Sequence, residues 1–125
     1  MIVRRLDDRK PIETPGGNRT SGLATPSVGA AEVSVIHQRM AAGGQNPLHR
    51  HDREEVMVLA AGTVTVTCAN EPVALAAGDT LIIPANTLHT IANMGGEPAE
   101  WLIIAPAGVR FFSEAGEEMH PAWAQ

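Results

Sequence analysis

His49 and His51 stand two residues apart, a spacing that puts both imidazoles on one face of an extended chain. Glu55, four residues further on, joins that face if the strand continues. His89 comes from a later segment, entered through Gly78-Asp79 and broken by Pro84. A lone His-x-His pair is commonly just solvated, and Glu55 beside Glu54 is commonly a charged edge. Together, two His and a carboxylate from one strand and a His from another make a ligand set for a divalent transition metal. Mixed imidazole and carboxylate ligation suits Fe, Mn, Ni or Zn without choosing among them. No thiolate is expected to compete: the single Cys68 falls on a different strand-like segment and reads as a small buried or half-buried hydrophobe.

The elements that must position these groups read as short strands. Residues 31–40 are rich in β-branched side chains. Residues 55–60 lead through Ala61-Gly62 into 63–68, where Thr and Val alternate strictly, one type on each face. Further strand-like runs follow at 73–75, 80–83, 89–93 and 101–105, separated by turn residues. At least seven such segments with no sustained helical spacing predict an all-β fold, an antiparallel sandwich or barrel, over 31–106. Residues 1–30, interrupted by Pro11, Pro15, Gly16, Gly17, Gly22 and Pro26, read as an arm of turns able to add one edge strand. Residues 107–125 form a closing segment of turns, or a short helix from about Ser113 with that residue as its cap.

Composition narrows the chemistry. Among 125 residues there is no Tyr, so no phenol can act as acid, base or radical. The only aromatics, Trp101, Phe111, Phe112 and Trp123, lie in the last quarter. A net charge of −5, with basic residues mixed among acids in the first ten positions, gives no basic stripe for nucleic acid. No apolar run is long enough to span a bilayer, charges begin directly after Val3, and one Cys forms no intrachain disulfide. These features predict a cytoplasmic protein without membrane or nucleic-acid partners. A barrel this small, with a turn-rich arm, gains buried area by pairing sheets or exchanging the arm, so a homodimer is expected.

The two histidine-bearing stretches resemble the paired motifs of the cupin superfamily. Gly43, His49, His51, Glu55 and Gly62 match the first. Gly78, Pro84, His89 and Asn93 match the second, with Asn86 where the family usually has Gly. Asn tolerates left-handed backbone geometry better than other side chains, so the departure is mild. The resemblance implies a small antiparallel β-barrel, a double-stranded jelly roll, with one metal ion inside held by His49, His51, Glu55 and His89.

With positions left open on the ion, Glu55 is the candidate catalytic base if it swings off the metal, since no Tyr or Lys stands nearby in sequence. Met57 and Leu59 share its facing, and Ile91 that of His89. They are expected to line a mostly apolar pocket, with polar contacts from Asn93 and Gln38 and with Trp101 as the first candidate for stacking on a flat substrate. Arg50 and Arg53, alternating with the ligands, are expected to point outward, and His37 to be a packed histidine. The function expected is a metal-dependent oxygenase acting on a small, partly apolar enol or diketone. The alternatives are a redox-neutral isomerase, cyclase or decarboxylase, and a non-catalytic binding or sensory protein.

Overall fold

The computed structural model describes residues 1–125, folded as two six-stranded antiparallel sheets. In chain order the strands are β1 (Ile12–Thr14), β2 (Asn18–Ala24), β3 (Val33–Met40), β4 (His49–His51), β5 (Glu55–Ala61), β6 (Thr63–Cys68), β7 (Glu71–Ala76), β8 (Thr80–Ile83), β9 (His89–Ala92), β10 (Ala99–Pro106), β11 (Phe111–Ser113) and β12 (Glu118–Met119). The first sheet has the order β1-β2-β3-β10-β5-β8 and the second β12-β11-β4-β9-β6-β7. This is the antiparallel all-β fold that the alternating segments predict, in the jelly-roll arrangement that the resemblance implies. The only helical pieces are three single 3₁₀ turns, and no helix is long and apolar enough to cross a membrane.

Period-two patterning places the core. Met57 and Leu59 of β5, Trp101 and Ile103 of β10, and Ile36 of β3 point inward from the first sheet, and Val64, Val66 and Ile91 meet them from the second. The Thr side chains that alternate with Val along β6 stay at least partly exposed. Pro72 sits in β7 at the margin of its sheet, where a missing backbone donor leaves no ladder bond unmade.

Two segments fold further than the sequence suggests. The Pro- and Gly-rich stretch before residue 31 is not a free arm: β1 and β2 pair with each other, and β2 pairs along β3 as an internal strand. Its prolines fall outside the strands, and Gly16 and Gly17, at φ +87° and +76°, make the turn between them. A Cβ on Gly16 would lie 2.0 Å from the Gln45 carbonyl oxygen, so this turn has no room for a side chain.

At the other end, no helix starts at Ser113. Gly116 enters at φ +86° before a first helical turn could be completed. Residues 111–119 instead form a hairpin, in which the Ser113 amide donates to Glu117 O at 2.8 Å. That hairpin is stitched onto the second sheet by register between Phe111 and His51 and is pinned by the bidentate Arg110–Glu118 pair.

Candidate metal centre

The second sheet brings the three histidines together. His49 and His89 are directly paired between β4 and β9, and His51 lies two residues along β4 on the same face. Ring centroids are 4.3 Å apart for His49 and His89, 5.0 Å for His49 and His51, and 5.1 Å for His51 and His89. After His51 the chain turns from one sheet to the other, and Asp52 fixes the corner by accepting the Arg110 backbone N–H at 2.8 Å. Glu55, the first residue of β5, therefore reaches the histidines from the opposite sheet. Its Oε2 touches His51 Nδ1 and lies 3.9 Å from His89 Nε2.

Backbone carbonyls set the histidine tautomers. His49 Nδ1 is 2.7 Å from Pro47 O, and His89 Nδ1 is 2.8 Å from Thr87 O. A carbonyl oxygen only accepts, so in each ring Nδ1 carries the proton and Nε2 keeps its lone pair for a ligand. Burial then keeps the imidazoles neutral. It lowers the pKa of His49 to about 4, with His89 adding to the effect, and that of His51 to about 2, with His49 and His89 adding; it also lowers His89. The Glu55 carboxyl, 2% exposed, is pushed up to about 8 by burial.

The result is a cluster of orphaned polar atoms. Apart from the contact between Glu55 Oε2 and His51 Nδ1, both ring nitrogens of His51, Nε2 of His89 and Oε2 of Glu55 are buried without a hydrogen-bond partner. Buried polar atoms without partners cost stability, and several pointing at one place need a shared partner that accepts from all of them. A divalent cation is such a partner. The candidate ligand atoms of His49, His51 and His89 lie within 4.8 Å of one another, close to the ~4.2 Å limit for two nitrogens each about 2.1 Å from a common ion. The donor set thus fits a divalent transition metal, with slight contraction on binding.

The model of the cupin domain matches residues 36–105, which hold all four of these side chains. The chain belongs to the cupin family. It is 30% identical to the uncharacterized protein MJ1618 of Methanocaldococcus jannaschii, covering 82% of this chain and 83% of that protein. It is 31% identical to auxin-binding protein 1 of Arabidopsis thaliana, again over 82% of this chain, but it spans only 58% of that protein's length. Among solved structures, the polyketide cyclase RemF of Streptomyces resistomycificus superposes with a TM-score of 0.76 at 19% identity, covering 87% of this chain and 81% of that one. This last likeness bears on the fold alone.

The histidine cluster of this cupin opens into a cavity of about 380 Å³. Of the expected pocket residues, Ile91 and Gln38 line it, whereas Met57, Leu59 and Trp101 do not: all three are fully buried in the core. They share the facing of the ligand strands but sit deeper between the sheets, away from the mouth. The aromatic wall comes instead from the tail, where Phe111 packs edge-on against His51 at 4.5 Å and against Trp123 at 5.5 Å. Asn18, Asn46, Met119 and Pro121 complete much of the rest. The confinement of aromatics to the last quarter was the available signal for this wall. Nothing in the sequence points to Asn18, which arrives on the unforeseen β2.

Asn93 is a brace of the cupin barrel and does not line the cavity. Its Nδ2 donates to Met40 O at 3.2 Å and Glu97 O at 2.8 Å, and its Oδ1 accepts from Gly95 N–H at 3.0 Å. Asn93→Ala leaves these groups unpartnered in a site 1% exposed. It is expected to lower stability by about 2–4 kcal/mol in urea unfolding, without changing metal content.

The remaining sequence candidates fall outside the cluster. Arg50 points outward, over the Phe112 ring at 4.3 Å, and donates to Asn86 Oδ1 at 2.9 Å; Arg53 is exposed. Asn86 adopts φ +61°, the left-handed geometry for which Asn is the best substitute for Gly. His37 pairs with Glu100 at 3.2 Å on the outer face of the first sheet. Cys68 is closer to the site than its segment suggests, since it is paired with His89 across β6 and β9 and packs against the core.

Proposed function

We propose that this cupin is a metal-dependent oxygenase that binds a small, largely apolar enol or 1,3-diketone through His49, His51, Glu55, His89 and the ion they hold. One observation carries the reading. The donor cluster opens on a cavity whose other lining includes no Lys, Arg, Asp or Tyr, so only the metal centre can pair with a charged group there. When bound, the ion supplies Lewis acidity and redox chemistry toward a chelated oxygen ligand. A chelating enolate is such a ligand, and the apolar lining accepts the rest of a small organic molecule.

Within this reading Glu55 is the catalytic base. Its carboxyl is the only one that lines the cavity and stands beside the histidine cluster, so, released from the ion, it would receive the proton lost on enolisation. Phe111 and Trp123 hold a flat body edge-on, and the amide of Gln38 meets a polar substituent from the first sheet. The relative named as an auxin-binding protein favours a second reading, retention of a small ligand without turnover.

The test combines metal analysis with oxygen uptake across a panel of enols and 1,3-diketones. Iron- or nickel-loaded protein is expected to consume oxygen stoichiometrically with an aryl 1,3-diketone. Trp123→Ala is expected to raise KM about tenfold, with metal content unchanged. Substrate loss without oxygen uptake would establish redox-neutral catalysis, and binding without consumption the second reading.

A further inference from the structure

Outside the histidine cluster and Glu55, the residues with buried side-chain atoms that lack a hydrogen-bond partner are Asn18, Thr20, Ser34 and Trp101. Of these only Asn18 lines the cavity. It is 4% exposed, and its amide is held in one orientation. Nδ2 donates to Pro15 O and to Gln45 O, each at 3.1 Å. A carbonyl oxygen only accepts, so turning the amide over would set Oδ1 against two other acceptors. Oδ1 is therefore fixed as an acceptor, and no group of the chain donates to it. A buried acceptor in that condition costs stability until a ligand completes it.

The surrounding amides favour a hydroxyl as that ligand group. Oδ1 of Asn46, which also lines the cavity, is already engaged by the Ile91 N–H at 2.7 Å and the Thr90 hydroxyl at 3.2 Å. Gln38 lines the cavity diagonally across from Asn18, because β2 and β3 pair Thr20 with Gln38 and Asn18 with Met40. Diagonal neighbours of this kind are about 7–8 Å apart, within reach of one group between them. A hydroxyl donates to Asn18 Oδ1 and accepts from the Gln38 amide, whereas an N–H does only the first.

We propose that Asn18 is a specificity-determining residue, whose Oδ1 accepts from a hydroxyl on the flat body of the ligand, at the end remote from the oxygens that chelate the ion. The proposal rests on the reading of the cavity as the seat of an enol or 1,3-diketone, and adds the polar group that the far end carries. The distances suit such a ligand. Gln45, whose carbonyl holds the Asn18 amide, is four residues before His49, at most about 14 Å of extended chain. An aromatic ring with a chelating group at one end and a hydroxyl at the other fits within that interval. A site built to bond a hydroxyl discriminates against the analogue lacking it, because its own buried acceptor is then left unpaired.

Calorimetry on the zinc-loaded protein reads binding apart from oxygen consumption. Three aryl 1,3-diketones are compared, carrying a hydroxyl, a methoxy group or hydrogen at the ring position opposite the diketone. The hydroxyl compound is expected to bind about tenfold more tightly than the unsubstituted one. The methoxy compound, which offers an oxygen but no proton, should bind no more tightly than the unsubstituted one. In Asn18→Ala the tenfold preference should fall below twofold, a cycle that removes any effect of the hydroxyl on the diketone itself. Should that variant fail to fold, the wild-type series decides alone. Equal binding of all three compounds, or a preference that survives in folded Asn18→Ala, overturns the role of Asn18 and leaves the diketone reading in place. Binding of none overturns both.

Discussion

Replacing His51 with alanine is expected to empty the metal centre. Protein purified without added metal should fall from about one ion per chain to less than a tenth of that, and the double variant His49→Ala/His89→Ala should do the same. The reason is geometric. The ligands come from β4, β9 and the start of β5, and the buried nitrogens and carboxylate oxygen converge on one space that a shared cation satisfies.

Metal should also stabilise the fold, because the unfolded chain presents no such site. At a thousandfold excess over the dissociation constant the gain is about 4 kcal/mol. For a domain of this size that is a rise in Tm of about 15 °C. His51→Ala should lose that increment, so that added metal no longer raises its Tm. His37→Ala, which touches only Glu100 on the outer face, should bind metal as the parent does. Full metal content in His51→Ala would refute the site.

What the sequence discloses here follows from how local each signal is. His49, His51, Glu55 and His89 announce themselves by spacing, because period-two facing decides which side chains meet along a strand, and the structure brings all four to one point. The β-fold is legible for the same reason. The pocket wall is another matter. Period two says that Met57, Leu59 and Trp101 face inward but not how deep they lie, and depth separates a cavity lining from a packed core. That depth is set by the separation of the two sheets and by which segments stop short of meeting.

The N-terminal stretch was opaque because prolines and glycines, read locally, count against strands. Here they occupy the turns of a hairpin whose second strand is held by long-range pairing with β3. In the tail, Ser113 followed by acidic residues has the form of a helix start, but pairing of Phe111 with His51 and the turn at Gly116 override it. Much of the wall of the cavity, including its aromatic part, is therefore built from the two segments whose local signals were weakest.

Metal uptake by this cupin is expected to strengthen about tenfold for each pH unit between pH 6 and 8 and to level off above that range. The cause is Glu55. In the metal-free protein burial raises its pKa to about 8, so at neutral pH the carboxyl holds a proton that the metal must displace. The histidines release none, because His49 and His51, lowered to about 4 and 2, are already neutral there. Calorimetry in buffers of different ionisation enthalpy should count one proton released per ion at pH 6–7, and Glu55→Gln should bind more weakly with no such slope. An equal slope in Glu55→Gln would assign the proton to another group and remove Glu55 from the ligand set.

The same shifts set the stability of the metal-free fold. Glu55 has a raised folded pKa, so its contribution is complete below about pH 4.5 and is lost as pH rises through about 8. The histidines have depressed folded pKa values, so their contribution is present above about pH 6.5 and is lost as pH falls toward 4. Metal-free protein should therefore be most stable near pH 6.5, losing about 1.4 kcal/mol per unit on the alkaline side up to pH 8. Bound metal removes that alkaline loss by taking the proton's place on Glu55, so the stabilisation it confers must grow over the interval in which the metal-free protein weakens.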